Sequence, residues 1–295
     1  MTITPSVDFD LHRTINSHGW YDLPPFRANE QLTELQTIIS LSKQKHVPIL
    51  IRELNSVISI VPTNKKIRLS KTDKEKIKNI VRSMLRMDEQ LDEFYRLCKK
   101  EKHLRWVPKR RAGRILRSPT TFEDIVKMMF TTNCSWALTK IITVHLTCKL
   151  GTKISDGIFS FPTPETIAKK SEQWLRKELS CGYRAPYLLK LCRDISNKKI
   201  DVESFRNTDC SSEDLYWKLR SIKGIGHYAA GNILKLLGRY DYLGIDSWVR
   251  KRFSQLHKNG RKVSDASIEE HYNRYGAWRG LICLMEVTAD WHNTK

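Results

Sequence analysis

The chain has 295 residues, 40% of them hydrophobic, enough to bury a sizeable core and too apolar for a disordered polymer. Fifty-two Lys and Arg against 32 Asp and Glu leave a formal net charge of +20, so a polyanion is the expected partner, nucleic acid above all. No apolar run reaches 18 residues and "MTITPSVDFD" lacks the charged-then-apolar build of a signal peptide, so neither a membrane span nor export is expected.

The first seventy residues or so read as strands. "VDFDLHRTI", "ELQTIISL", "HVPILIREL", "SVISIVP" and "KKIRLS" are short, β-branched and separated by turn-rich segments. They predict a small antiparallel sheet. From about Thr72, "DKEKIKNIVRSMLRMDEQLDEFYRLC" spaces its apolar residues at three and four, as one amphipathic helix does. "KKEKHLRWVPKRRAGRILR" follows, with nine Lys and Arg interleaved with Trp106. It reads either as a solvated face or as a phosphate-facing stripe, and the second reading is favoured.

The rest is predicted helical. Thr120 and Glu123 make a capping box before "FEDIVKMMF", Thr163-Pro164 starts "ETIAKKSEQWLRKEL", and Ser211 with Asp214 opens "LYWKLRSI". No internal repeat or low-complexity tract is present. The seven cysteines stand singly, without CxxC pairs, which argues against zinc and against a disulfide framework. Reduced thiols fit a cytoplasmic or nucleoid protein, or a nuclear one in a eukaryote.

One stretch carries chemistry. "LYWKLRSI-KGIG-HYAAGNILKLL" is helix, tight turn, helix. Glycine permits positive φ and close backbone approach. The second helix offers free N–H groups and the positive end of its dipole. Lys223, Gly224, Ile225, Gly226 and His227 are thus candidate contacts to a DNA phosphate. Twenty residues after Gly226 comes Asp246, in "LGIDSW". It can cap the helix "SWVRKRFSQL". It can also stabilise a developing cation or activate a water. The two readings are compatible, since a cap holds the carboxylate in place.

In that spacing Gly224, Gly226, Ala230 and Asp246 resemble the helix-hairpin-helix and Gly/Pro-Asp signature of the DNA glycosylase superfamily. "GRILRSPTTFEDIVKMMFTTN" resembles the first core helix of its 3-methyladenine (type II) and 8-oxoguanine branches. "LRKELSCGYRAPYLLKLC" resembles the 8-oxoguanine enzymes closely, and "YGAWRGLICL" matches their last pocket helix more loosely. The N-terminal sheet, with "TINSHGWYDLPPF", fits the extra β domain of both branches. The resemblance implies an α+β fold. A small N-terminal antiparallel β domain with a connecting helix would occupy residues 1–105, and an all-α helix-hairpin-helix core 106–295. It implies base excision repair of double-stranded DNA by a monomer: a damaged base is flipped out and its N-glycosidic bond hydrolysed, with Asp246 as the catalytic carboxylate.

Departures from the pattern sharpen the expectation. Bifunctional relatives carry a lysine nucleophile where this chain has Tyr228, and a phenol forms no Schiff base. Lys223 precedes the turn and more plausibly meets phosphate. A monofunctional enzyme without lyase activity is expected. Only Cys283 follows Asp246, so no four-cysteine iron–sulfur cluster can be built. No cofactor is expected beyond a potassium or sodium ion held by the hairpin. Four positions that read 8-oxoguanine in relatives match Asn232, Trp248, Gly280 and Leu284, and none keeps the family residue. Leu138 replaces an arginine that reads the orphan cytosine.

The expected base pocket instead offers Tyr228, Trp248, Trp136 and also Trp20. Their faces suit a cationic alkylated purine. Asn133, Tyr183 and Arg184 are expected to fill the gap left by the flipped base. An 8-oxoguanine enzyme and a non-catalytic hairpin protein are the alternatives.

Overall fold

The computed structural model describes residues 1–292. They form two compact units, each built from two stretches of chain: 1–88 with 114–207, and 89–113 with the residues from 208 onward. The chain leaves the first unit at Glu89, earlier than a boundary read at 105/106. The reason lies in the packing of residues 89–113 inside the second unit. Tyr240 donates a hydrogen bond to Glu89, and the rings of Phe94 and Trp278 lie 5.6 Å apart.

In chain order the first unit begins with β1 (Thr2–Ile3), α1 (Leu11–Ile15), β2 (Arg27–Ala28), β3 (Glu34–Ser40), β4 (His46–Leu54), β5 (Val57–Pro62) and α2 (Lys71–Met84). The second contributes α3 (Asp92–Lys100) and α4 (Trp106–Lys109). The first resumes with α5 (Thr121–Thr131), α6 (Trp136–Leu150), a small hairpin of β6 (Lys153–Ser155) and β7 (Ile158–Phe159), α7 (Pro164–Ala168), α8 (Glu172–Leu179) and α9 (Ala185–Ser196). The second closes with α10 (Ser212–Ser221), α11 (His227–Leu237), α12 (Ser247–His257), α13 (Asp265–Asn273) and α14 (Arg279–Val287). Among the described residues no helix is long and apolar enough to cross a membrane.

Strands β1-β5-β4-β3-β2 form one antiparallel sheet. Alternation along β4 and β5 puts Val47, Ile49, Ile51, Ile58 and Ile60 on the buried side. Two segments expected as strands are not. Asp10 accepts a hydrogen bond from the Arg13 N–H at 2.8 Å and caps α1, so "LHRTI" winds into a helix although its pattern alternates. "KKIRLS" is irregular and ends at Ser70, whose reciprocal bonds with Asp73 make a capping box for α2. The long helix expected from Thr72 is two. Arg86 takes a φ of 55°, and the chain turns between Leu85 and Leu91.

Helix α5 is buried on nearly every side. Its cap is half of the expected box: Thr120 accepts from the Glu123 N–H at 3.2 Å, but the Glu123 carboxylate turns to Lys127 at 2.6 Å. Glu203 takes up two further N–H groups of the first turn, those of Thr121 and Phe122, at 2.9 Å each. The starts at Thr163-Pro164 and at Ser211 are as expected.

Candidate active site

The hairpin lies in the second unit. Gly224 has a φ of +94°, which L side chains rarely adopt, so it alone supplies the reversal. Ile225 tucks into the core beneath the turn, its N–H bonded to the Ile222 carbonyl at 3.0 Å. Gly226 caps α11 with ordinary extended backbone and offers no side chain. A Cβ there would meet nothing closer than Arg220 Nη1 at 3.8 Å, so packing does not demand the glycine. Its effect is to leave the α11 N-terminus bare beside exposed Lys223 and His227. The His227 Nδ1 is held by the Tyr216 hydroxyl.

Three glycines fix the path of the loop from Tyr240 to Asp246. A Cβ at Gly231 on α11 would lie 2.4 Å from the Leu243 carbonyl oxygen. One at Gly244 would lie 2.2 Å from Asn232 Nδ2. One at Gly280 on α14 would lie 2.3 Å from the Tyr242 oxygen, and the Gly280 N–H bonds the Tyr240 carbonyl at 2.6 Å. Gly280 and Asn232 are thus occupied in seating the loop. The loop delivers Asp246 to the N-cap of α12, half-buried, where Oδ1 accepts from the Val249 N–H at 2.8 Å. Oδ2 has no hydrogen-bond donor among the described residues. The N–H and the helix dipole stabilise negative charge at this point.

Sequence reading missed Lys235. It lies on α11 and is only 7% exposed. Burial holds its amine below the ordinary lysine range, against the opposing pull of the Asp246 carboxylate. No carboxylate among the described residues comes within ion-pair distance of it. Burial also pushes the Cys283 thiol up to about 12, which keeps it neutral at physiological pH. A signal was present: Ala229, Ala230, Ile233, Leu234, Leu236 and Leu237 are all buried, so α11 has no polar face to carry a lysine into solvent.

The expected aromatics divide. Trp248 is 40% exposed and Tyr228 is half-buried, both in the second unit with Asp246. The Arg252 guanidinium lies 5.8 Å from the Trp248 ring centre, so a cationic base has a competitor there. Trp136 belongs to the first unit, partly exposed, its indole N–H donating to Asp22 Oδ2 at 3.0 Å. Trp20 is a core residue, 2% exposed, bonded to Asp124 at 2.9 Å, and offers no face to a ligand.

In the first unit Asn133, Tyr183 and Arg184 do come together. Asn133 takes a φ of 45°, and the Tyr183 hydroxyl donates to the Thr132 carbonyl at 3.1 Å. Arg184 is not a surface contact as expected. It is 4% exposed, and its guanidinium binds the carbonyls of Thr132 and Asn133 and underlies the Tyr183 ring at 4.6 Å. It therefore positions the exposed pair. The basic stripe also needs correction. Arg114 and Arg117 are buried, bonded to Asp8 at 2.8 Å and to the Ser83 carbonyl at 2.8 Å. Lys109 and Arg111 remain exposed.

No family model matches the chain. It is 28% identical over 137 residues to a Bacillus subtilis protein provisionally designated a DNA-3-methyladenine glycosylase, an overlap of 43% of this chain and 47% of that one. It spans less than half the length of the curated relatives it matches. Among solved structures it is similar to the 3-methyladenine DNA glycosylase of Archaeoglobus fulgidus, at 20% identity, all of both chains and a TM-score of 0.77. It is also similar to the 8-oxoguanine glycosylase/lyase of Clostridium acetobutylicum bound to double-stranded DNA containing cytosine opposite 8-oxoG. There identity is 19%, coverage 97% and 93%, and the TM-score 0.75. The chain thus shares the α+β fold of these two glycosylase structures, a five-stranded N-terminal sheet followed by helices, as its sequence motifs implied.

Proposed function

We propose that this protein is a DNA glycosylase of base excision repair, acting by hydrolysis on a duplex that holds a damaged base. The carrying observation is the placement of Asp246: half-buried, capped onto α12 through one oxygen and open at the other, on a loop seated by glycines, in the same unit as the hairpin. A mere DNA binder would use that carboxylate only as the cap of α12 and would need no second oxygen left open. Lys223 and the bare α11 N-terminus would take the phosphate backbone, with an alkali ion at the hairpin carbonyls as a further expectation. When the glycosidic bond breaks, its electron pair leaves with the base and the sugar becomes oxocarbenium-like. Asp246 Oδ2 would face that cation and accept a proton from the water that adds to the sugar carbon.

We assign alkylated purines as the substrate class. A cationic base departs neutral and needs no proton donor, and Trp248 and Tyr228 supply aromatic surface in the unit of Asp246. The relatives named for 3-methyladenine and for 8-oxoguanine support both substrate classes alike. Lys235 favours a second reading, a lyase. An amine held below the usual lysine range is a better nucleophile at neutral pH, and Lys235 feels the charge of Asp246.

Base release from duplexes holding 7-methylguanine, 3-methyladenine, hypoxanthine or 8-oxoguanine decides the substrate. Borohydride trapping on abasic DNA decides the lyase. The monofunctional alkylpurine reading expects methylated purines released and no trapped adduct. Release of 8-oxoguanine alone, with trapping lost in Lys235→Met, establishes the second reading.

A further inference from the structure

A second group of chemically active side chains gathers where α12, α13 and α14 meet. His257 ends α12, His271 lies on α13 and Glu286 on α14, all within the second unit. One ligand atom from each lies within 4.8 Å of the other two. The imidazoles face each other with ring centres 4.2 Å apart. His257 Nε2 is 3.2 Å from Glu286 Oε1, close but not aligned as a hydrogen bond. Nε2 of His257 and Nε2 of His271 are both buried, and neither has a hydrogen-bond partner among the described residues.

Buried polar nitrogens are nearly always satisfied, and two adjacent exceptions beside one carboxylate need a reason. Direct hydrogen bonding does not supply it. A cation does: it takes a lone pair from each imidazole and an oxygen from Glu286 at once. In a tetrahedral zinc site, bonds of about 2.0–2.1 Å leave neighbouring ligand atoms roughly 3.4 Å apart. The His257 and Glu286 atoms already stand at 3.2 Å, and a ligand atom of His271 lies within 4.8 Å of both residues' ligand atoms.

The carboxylate is also braced as a metal ligand usually is. The Tyr272 hydroxyl donates to Glu286 Oε2, and His103 Nε2 lies 2.7 Å from Oε1. A cavity of about 430 Å³ borders the group, with room for a water in a fourth position. Arg274 also lines it, but that guanidinium is engaged by the Tyr275 hydroxyl at 2.7 Å and by Glu101 at 3.8 Å.

We propose that His257, His271 and Glu286 form a binding site for a divalent transition metal of the zinc type, with the fourth position open to the cavity. The metal would tie together the three closing helices of the second unit. It would fix the C-terminal end of α12, the helix whose N-terminal end holds Asp246. The site escapes sequence motifs because its ligands come from three helices, at spacings unlike any short metal-binding pattern. It does not depend on the glycosylase reading.

The test uses the full chain stripped with a chelator. Titration with Zn²⁺ should show one equivalent bound at micromolar concentration or below, with a raised thermal midpoint. Co²⁺ should give the intense visible bands of a tetrahedral centre. His257→Ala and His271→Ala should each weaken binding at least about a hundredfold, with circular dichroism confirming the fold. Glu286→Gln, which can still accept from Tyr272, is the milder variant. X-ray absorption on the wild-type zinc form needs no variant and should show only nitrogen and oxygen ligands. Failure to bind at micromolar zinc, binding that survives the double histidine substitution, or sulfur among the ligands would each overturn the proposal.

Discussion

Two lysines are buried among the described residues, one in each unit, and they are buried on different terms. Lys127, on α5, meets Glu123 at 2.6 Å and Ser118 at 3.3 Å and lies 4.5 Å from the Phe26 ring centre. Its charge is answered within one turn of its own helix. Lys235, on α11, has no such partner. It feels Asp246 only as a field, and burial lowers its proton affinity. The contrast separates structure from chemistry. A buried charge with a complete set of partners holds a core together. One left without a partner near a carboxylate that has a free oxygen is available for reaction or for tuning it.

The largest effect should come from breaking the paired site. Lys127→Met leaves Glu123 enclosed without its cation and should cost about 3–5 kcal/mol, the usual range for stranding one member of a buried pair. Burial raises the Glu123 pKa, so uptake of a proton will relieve part of that cost, and more of it at acid pH. Chemical denaturation at pH 5 and 8 measures both. A loss under 1 kcal/mol would break the comparison from this side.

Gly231→Ala and Gly280→Ala come next. Each Cβ would press on a loop carbonyl at 2.4 or 2.3 Å. Overpacking of this kind costs about 1–3 kcal/mol. Because the same loop ends at Asp246, activity should fall more than stability does, up to about a hundredfold for a shift near 1 Å. Gly226→Ala has space by the same measure, so it should spare stability and weaken duplex binding. Melting curves beside duplex titrations separate the two outcomes.

Lys235→Met should behave oppositely to Lys127→Met. The folded amine binds protons less readily than the unfolded one, so wild-type stability rises with pH between its lowered value and about 10.5. The methionine variant lacks that slope. It should be as stable as wild type or more stable at neutral pH, the gap closing toward pH 10, while base excision slows. Thermal midpoints of both proteins from pH 7 to 10 give the answer. A strongly destabilised variant would mean Lys235 is structural after all.

The smallest effect concerns substrate choice. Trp248→Ala should reduce excision of 7-methylguanine more than that of hypoxanthine, by about 0.5–2 kcal/mol. This corresponds to a factor of a few up to about thirty. The nearby Arg252 places the expectation toward the lower end.

What could be read in the sequence follows the same division. Strands β3 to β5, the capped helix starts and the hairpin were legible because each is encoded locally, by alternation, by Ser or Thr caps, or by Gly-x-Gly. The place of Asp246 as the cap of α12 was legible in "LGIDSW", because Asp is a favoured N-cap. Helix α1 was not, since one capping bond from Asp10 outweighs an alternating pattern. Arg184 looked like a filler of the gap left by a flipped base, and Arg114 and Arg117 like contacts for phosphate, but each folds back on backbone carbonyls or on Asp8, which charge counting cannot foresee. Lys235 and the His257–His271–Glu286 group depend on which helices meet, and neither is written in any short stretch.

On the proposed function, Asp246 is the residue on which cleavage of the glycosidic bond depends. Single-turnover base release from a duplex carrying one methylated purine, wild type against Asp246→Asn, tests it most directly. Asparagine also caps helices, so the Val249 contact and the fold should persist. The variant should bind the duplex within a few-fold of wild type yet release base about 10²- to 10⁴-fold more slowly. Equal rates in the two proteins would contradict the assignment.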